Sequence, residues 1–288
     1  DSPKGESRHH LQYYPACSVK CKPLLFHMLK GLDVEPNPQE KTIKGELKII
    51  YEDDYLMAVN KPAGMPSVPG KVDLPDVVTL LCRENYLKPI HRLDMATSGL
   101  LLLAKNEQVF KTMQSMFARR AVKKEYVAIV CPTSPPQPSP QGEGDLKIAS
   151  PLIYKSNFLS PSPCGEGWGG EMGYVPCIIS LPLSPDILNR PYQRVDYENG
   201  KEAVTEVRLS HEKQGILDGT LRLILSPLTG RTHQLRVHCA HPDGLNAPIV
   251  GDELYGKLAD RLYLHCQRLE FIHPILNKEI KLFCPSDF

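Results

Sequence analysis

The run Gly99–Asn106, "GLLLLAKN", is the strongest single constraint on the fold. Four leucines and an alanine are too few to cross a bilayer and suit a buried strand. Leu221–Leu225 reads the same way. "ELKIIY" and "YLMAVN" flank Glu52, Asp53 and Asp54 as a hairpin would, and "KKEYVAIV" alternates with strand period. "IISLPL", "EAVTEVRLS" and "TLRLILS" add further strands, and "RLYLHCQRLEFIHP" with "EIKLFC" predicts an antiparallel pair. Helical spacing is confined to three stretches. "LPDVVTLLCREN" is the first. "NEQVFKTMQSMFARR" is the second, with Asn106 as N-cap and Phe110, Met113 and Phe117 as a core stripe. In the third, "TGRTHQLRVHCAHPDG", Thr232 could cap a helix that ends at Gly244. Strands outnumber helices and run in hairpins. The expected class is α+β, a mixed, mostly antiparallel central sheet with flanking helices.

A chain of 288 residues with 41% apolar and 23% charged side chains can bury a substantial core. Regular patterning starts at Glu46, so 46–288 is expected to be the folded domain. Residues 1–45 read as a tail or linker, the remnant of a longer chain that would not start at Asp1. Eleven of the 27 prolines fall between Pro132 and Pro185, where "PSPQGEG" recurs as "PSPCGEG". A repeat this short has no apolar face to stack, so about 132–176 is expected to be a low-complexity insertion in a surface loop. Nine scattered cysteines argue against a disulfide framework and for a reducing, cytoplasmic setting. Cys17 and Cys21 lie near His9 and His10, but a second ligand pair with zinc spacing is missing. Neither a signal segment nor a membrane-spanning run is apparent.

Polar groups concentrate in three places, His91–Ser98, Lys123–Tyr126 and Arg231–His238. A carboxylate beside a guanidinium stays ionised, which suits a nucleophile and spoils a general acid. Arg92 cannot reach Asp94 along an extended chain, so Asp94 needs a second arginine, supplied by Arg231 or Arg236. His233 and Arg236 are three apart and share a helix face. A metal site of Asp94, His233, His238 and His241 is a weaker alternative, without a His-Glu-x-x-His pattern or a second carboxylate cluster. "PLTGRT" lacks the lysine and second glycine of a nucleotide-binding loop, so no nucleotide cofactor is expected. Lys105, Lys111, Arg119, Arg120, Lys123 and Lys124 oppose only Glu107. Such a stripe is either a solvated face or a track for phosphates.

Seven segments in this order, "NKPAGMPSVPG", "HRLDMATSGLLLLAKN", "KKEYVAIV", "LPLSPDILNRPYQRV", "LTGRTHQLRVHCAHP", "PIVGDELYG" and "RLYLHCQRLEFIHP", resemble the RluA-type family of RNA pseudouridine synthases. The resemblance is strongest to its branch acting on large-subunit ribosomal RNA, and runs from about residue 46 to the end. It departs from the family at 1–45 and at the Pro/Gly insertion. The resemblance implies a pseudouridine synthase catalytic fold that isomerises loop uridines of large-subunit rRNA, tRNA anticodon arms, or both. It implies a stand-alone, monomeric enzyme on structured RNA, with no guide, cofactor, metal or membrane. By residue, it implies Asp94 as the nucleophile, at ribose C1′ or uracil C6, and Tyr126 stacked on the target base and assisting removal of the C5 proton. Arg236 would pair with Asp94, and Arg92 would fill the gap left by a flipped-out base. Arg231 and His233 would join the same pocket, and Arg119, Arg120, Lys123 and Lys124 would follow RNA phosphates. The alternative from another class is a non-catalytic RNA-binding or folding factor on the same scaffold.

Overall fold

The structure, a computed structural model, describes residues 47–70, 74–81, 86–132, 177–210 and 219–288. The tail expected over 1–45, its Cys17/Cys21 cluster, and all but the first residue of the insertion expected at 132–176 lie outside them. The first hairpin joins β1 (Lys48–Glu52) to β2 (Leu56–Lys61). Asp53 Oδ1 closes its turn, accepting from the backbone N–H of Tyr55 at 2.8 Å and of Leu56 at 2.7 Å. Helix α1 (Val77–Leu81) starts from Asp76, whose buried carboxylate accepts from Val78 N at 2.9 Å. Residues 82–85 of the expected longer helix lie outside the described residues.

Strand β3 (Lys88–Pro89) leads into β4 (Ser98–Ala104), every residue of which is buried. Each leucine there contributes roughly 2 kcal/mol of burial. Helix α2 (Glu107–Ala118) follows, with Asn106 Oδ1 accepting from Val109 N at 2.8 Å as the capping argument requires. Its buried residues are Val109, Met113 and Met116. Phe110 and Phe117 are partly buried and pack against the same core, Phe117 also stacking on His91 with ring centroids 5.1 Å apart, so the expected stripe lies on the core face.

The remaining elements are β5 (Lys123–Val130), β6 (Cys177–Ser180), β7 (Leu183–Pro185), β8 (Gln193–Val195), β9 (Val204–Leu209), β10 (Leu221–Pro227), α3 (Gln234–Ala240), β11 (Leu264–Ile272) and β12 (Glu279–Phe283). A ten-stranded sheet runs β1-β2-β4-β11-β5-β10-β9-β6, with β12 on β11 and β3 on β4, while β7 and β8 form a separate hairpin. Among the described strands only β11 and β4 pair in parallel, so the sheet is mixed and mostly antiparallel, and the class is α+β. β11 thus slots between β4 and β5, strands that are consecutive partners of α2 in the sequence. Gly99 permits this. Its φ is +111°, and a Cβ there would lie 2.3 Å from Cys266 O and 2.5 Å from Cys266 N.

Helix α3 departs from the expected bounds. It covers seven residues and ends at the C-cap His241, well before Gly244. Its N-cap is His233, in the left-handed region with φ 52°, and not Thr232. The helix has no side-chain cap, and Gln234, its first residue, instead ties down the loop before it. Its Oε1 accepts from Arg231 N at 3.0 Å and from Thr229 Oγ1 at 2.7 Å, which pulls the preceding loop under the helix.

Candidate active site

The loop carrying Asp94 lies between β3 and β4 and is held from below by "NKPAGMPS". Lys61, fully buried, donates to the carbonyls of Pro62 (2.9 Å), Met65 (2.8 Å) and Met95 (3.1 Å). Gly64 N also donates to Met95 O at 2.8 Å, and Ser67 Oγ donates to Leu93 O at 2.9 Å. The carbonyls on both sides of Asp94 are therefore fixed, and the Asp94 side chain, 30% exposed, projects into a cleft of about 620 Å³. A cleft of that size can take a nucleotide. Burial lowers the Lys61 ammonium to about 7 against the raising effect of the Asp94 charge, with Arg261 lowering it further.

Arg236 reaches the cleft from α3, but its main partner is not Asp94. Its Nε lies 2.8 Å from Asp252 Oδ2 and its Nη2 lies 2.6 Å from Asp252 Oδ1, a fork-on-fork pair with Asp252 fully buried. Nη1 stands 3.9 Å from Asp94 Oδ2. The expected Asp94–Arg236 pair is thus a longer arm of an Asp94–Arg236–Asp252 triad. Burial works to lower the guanidinium, and the Asp252 bond and charge, with Asp94 behind them, more than restore it, so it is held above its ordinary value. Asp252 also accepts from Leu254 N at 2.9 Å and Tyr255 N at 3.0 Å, which ties the segment after α3 to the site.

His233 shares the helix face with Arg236. Its Nε2 is 3.9 Å from the same Asp94 Oδ2, and its Nδ1 is 2.9 Å from Tyr255 Oη. Burial lowers its basicity, the Asp94 charge opposes that, and Arg236 adds to the lowering. A histidine at φ 52° costs on the order of 1 kcal/mol or more and persists only where its surroundings insist on it. Tyr255 in turn accepts from Gln193 N at 2.7 Å, lies edge-on to the Tyr192 ring with centroids 5.6 Å apart, and carries the Arg236 guanidinium 5.3 Å above its own ring. Burial pushes the Tyr255 phenol up to about 12.

Tyr126, near the start of β5, is buried with its ring on the cleft wall and its hydroxyl on Cys266. Burial first, then Cys266 and Asp94, raise it well above its ordinary value, so it is a neutral phenol at physiological pH. Arg92 and Arg231 are exposed and line the cleft. Arg120 and Lys124 line it as well, Arg120 paired to Glu202 at 2.8 Å and Lys124, lowered by burial, facing Thr229 O at 3.4 Å. Arg119 and Lys123 are exposed but do not line it. The basic stripe therefore does not form one face. The left-handed residue Arg120, φ 62°, turns the chain from α2 into β5 and fans the cations apart, while Lys105 pairs with Glu52 and Lys111 with Glu107.

His91, the first residue of "HRLD", is a structural group. Its Nε2 accepts from Leu102 N at 3.1 Å, and burial holds the ring neutral, down to about 3. The four residues of the metal alternative do not converge. His238 is fully buried with Nε2 on Leu181 O at 3.3 Å, and among the described residues no three His, Cys, Asp or Glu side chains form a metal-holding group. Sequence reasoning missed Lys61, Asp252, Tyr255 and Gln234. Lys61 sat in plain view in "NKPAG", where a lysine closing a buried strand invites a clamp on nearby carbonyls. "GDELYG" offered an acid and a tyrosine three apart, but nothing in the spacing pointed to residue 236.

No described helix is long and apolar enough to cross a membrane. The family profile "RNA pseudouridylate synthase" matches residues 55–241. The chain is 35% identical over 266 residues to the dual-specificity RNA pseudouridine synthase RluA of Escherichia coli K12, covering 90% of this chain and all of that protein. It is 33% identical to the Yersinia pestis protein of the same name, covering 83% of this chain and 99% of that one. Human RNA pseudouridylate synthase domain containing 1 superposes with a TM-score of 0.58 at 25% identity, covering 88% of this chain and 87% of that one. The cleft, the fold and these likenesses agree, and the chain belongs to the RNA pseudouridylate synthase family, isomerases that convert uridine in RNA to pseudouridine.

Proposed function

We propose that this chain acts as a single polypeptide on loop uridines of large-subunit rRNA, tRNA anticodon arms, or both, in a reducing cytoplasm, with Asp94 as nucleophile. The observation that carries this reading is Asp94 itself, fixed by both neighbouring carbonyls and projecting into a nucleotide-sized cleft that Tyr126 also lines. The relatives' "dual-specificity" description supports more than one RNA target.

A stacked uridine must leave its helix to reach Asp94, and Arg92 on the cleft rim is placed to fill the gap with a planar cation. Tyr126, a neutral phenol, offers its ring to the extruded base. In the C1′ route an Asp94 oxygen bonds to C1′ as N1 departs with the bonding pair. The freed uracil turns, C5 displaces the carboxylate from C1′, C5 gives up its proton and N1 gains one. In the C6 route the same oxygen adds to C6, the N1–C1′ bond breaks, the ring turns and C5 bonds to C1′. Loss of the C5 proton then expels the carboxylate from C6 while N1 gains a proton. Either way the product is an isomer, and no redox partner or energy source is consumed. Arg120, Lys124 and Arg231 supply charge along the walls, with Arg119 and Lys123 outside the cleft meeting more distant phosphates.

The test is tritium release from RNA labelled at uracil C5, using tRNA and large-subunit rRNA fragments, for the wild type and Asp94→Asn. Release by the wild type and none by a variant that still binds RNA is the expected result. Equal release by the variant would remove Asp94 from the chemistry. Binding without release by the wild type would favour a non-catalytic RNA-binding factor.

A further inference from the structure

We propose that Tyr255 and His233 form a positioning relay that fixes one neutral histidine tautomer and turns its N–H toward Oδ2 of Asp94. The inference deepens the reading of Asp94 as nucleophile and rests on it.

The argument follows the protons. The backbone N–H of Gln193 can only donate, so Tyr255 Oη accepts from it at 2.7 Å. The phenol keeps its own proton, since burial raises it to about 12. Among the described residues the remaining contact of that hydroxyl is His233 Nδ1 at 2.9 Å. With one lone pair taken by Gln193, the half-buried hydroxyl has His233 Nδ1 as its acceptor, so the proton points at Nδ1. An Nδ1 that accepts must carry a lone pair, and the ring proton is then on Nε2. Nε2 faces Asp94 Oδ2 at 3.9 Å, and Arg236 Nη1 faces the same oxygen at the same distance. Both approaches fall on Oδ2 and are longer than hydrogen bonds, so they act on it through charge. Among the described residues no donor contacts Asp94 Oδ1.

Two features keep the relay in register. The ring of Tyr255 is wedged between Tyr192, edge-on at 5.6 Å, and the guanidinium of Arg236 at 5.3 Å. Its backbone N–H is tied to Asp252, the anchor of Arg236. Gln193 lies on β8, so docking of the β7–β8 hairpin supplies the donor that sets the direction of the phenol proton. His233 itself is held in the left-handed conformation that directs its ring this way. The role differs from RNA contact, which the sequence assigned to His233.

The test uses full-length protein with ¹⁵N-labelled histidine, reading the His233 tautomer by long-range proton–nitrogen correlation near pH 7.5 without RNA. The expected result is an Nε2–H ring in the wild type that changes to a mixture or to Nδ1–H in Tyr255→Phe. The phenylalanine keeps the ring packing and removes only the hydroxyl. In single-turnover assays Tyr255→Phe is expected to lose roughly tenfold in rate with RNA affinity unchanged, whereas a purely packing role would move neither tautomer nor rate. A wild-type His233 protonated on Nδ1 overturns the proposal outright, even if the variant fails to fold. An unchanged tautomer and rate in a folded Tyr255→Phe does the same. Because the tautomer is read without turnover, this outcome is independent of whether Asp94→Asn abolishes label release.

Discussion

Replacing Asp252 by alanine isolates what holds the site together. Asp252 is fully buried and Arg236 is 6% exposed at its side chain, with contacts of 2.6 and 2.8 Å between them. Removing one partner of such a pair leaves a buried charge and costs about 3–5 kcal/mol. The two backbone N–H groups of Leu254 and Tyr255 lose their acceptor as well, adding on the order of 1 kcal/mol. Against a domain stability of roughly 5–15 kcal/mol this is a large fraction. With an unfolding slope of about 3 kcal/mol per molar urea, the midpoint falls by more than about 1 M at unchanged slope. The double variant Arg236→Met/Asp252→Leu, which removes both charges and keeps the volume, is expected to recover most of that loss. A shift of less than about 0.3 M for Asp252→Ala would show that the pair is solvated and the reasoning wrong. In the folded fraction the freed Arg236 is expected to close onto Asp94 and slow turnover.

Acid should unfold the protein early, because burial depresses three histidines, His91 to about 3 and His238 and His265 to about 4. The unfolded chain takes up these protons near pH 6.5 and the folded chain does not, so their stability is complete above 6.5 and is lost as pH falls toward 4. Each proton contributes a slope approaching about 1.4 kcal/mol per pH unit, and a urea midpoint that stays flat from pH 6.5 to about 4.5 would contradict this. Gly99→Ala is expected to cost more than about 3 kcal/mol, or to prevent folding, since the new Cβ strikes the Cys266 backbone and no side chain can yield. A soluble variant within a few degrees of the wild-type melting temperature would refute the close approach.

What the sequence made legible was local. Asn106 announced a cap, "GLLLLAK" a buried strand, and Glu52, Asp53 and Asp54 a turn, because each depends on neighbours within a few residues. The need of Asp94 for a distant cation was legible too, as a rule about extended chains. That Arg236 would be chiefly engaged by Asp252 was not, since two carboxylates competing for one guanidinium are distinguished only by burial. The cap of α3 was misread because Thr232 had the right chemistry, while the backbone at His233 took a left-handed turn that no propensity scale foretells. The scatter of the basic residues followed from one more such turn, at Arg120.

The placement of β11 has a consequence for the order of events in folding. Asp94 precedes β4 and Tyr126 lies on β5, two strands joined in the sheet only through β11, which is parallel to the first and antiparallel to the second. Arg236 and His233 are already synthesised by then, yet the wall behind them is open. Loop closure over more than a hundred residues must precede any reward from that strand. Bringing Asp94 together with Tyr126 is therefore expected to be late, coupled to completion of the central sheet. A nascent chain that has exposed Asp94, Tyr126 and Arg236 but not yet β11 would hold the proposed site in separate pieces, unable to act on RNA ahead of time.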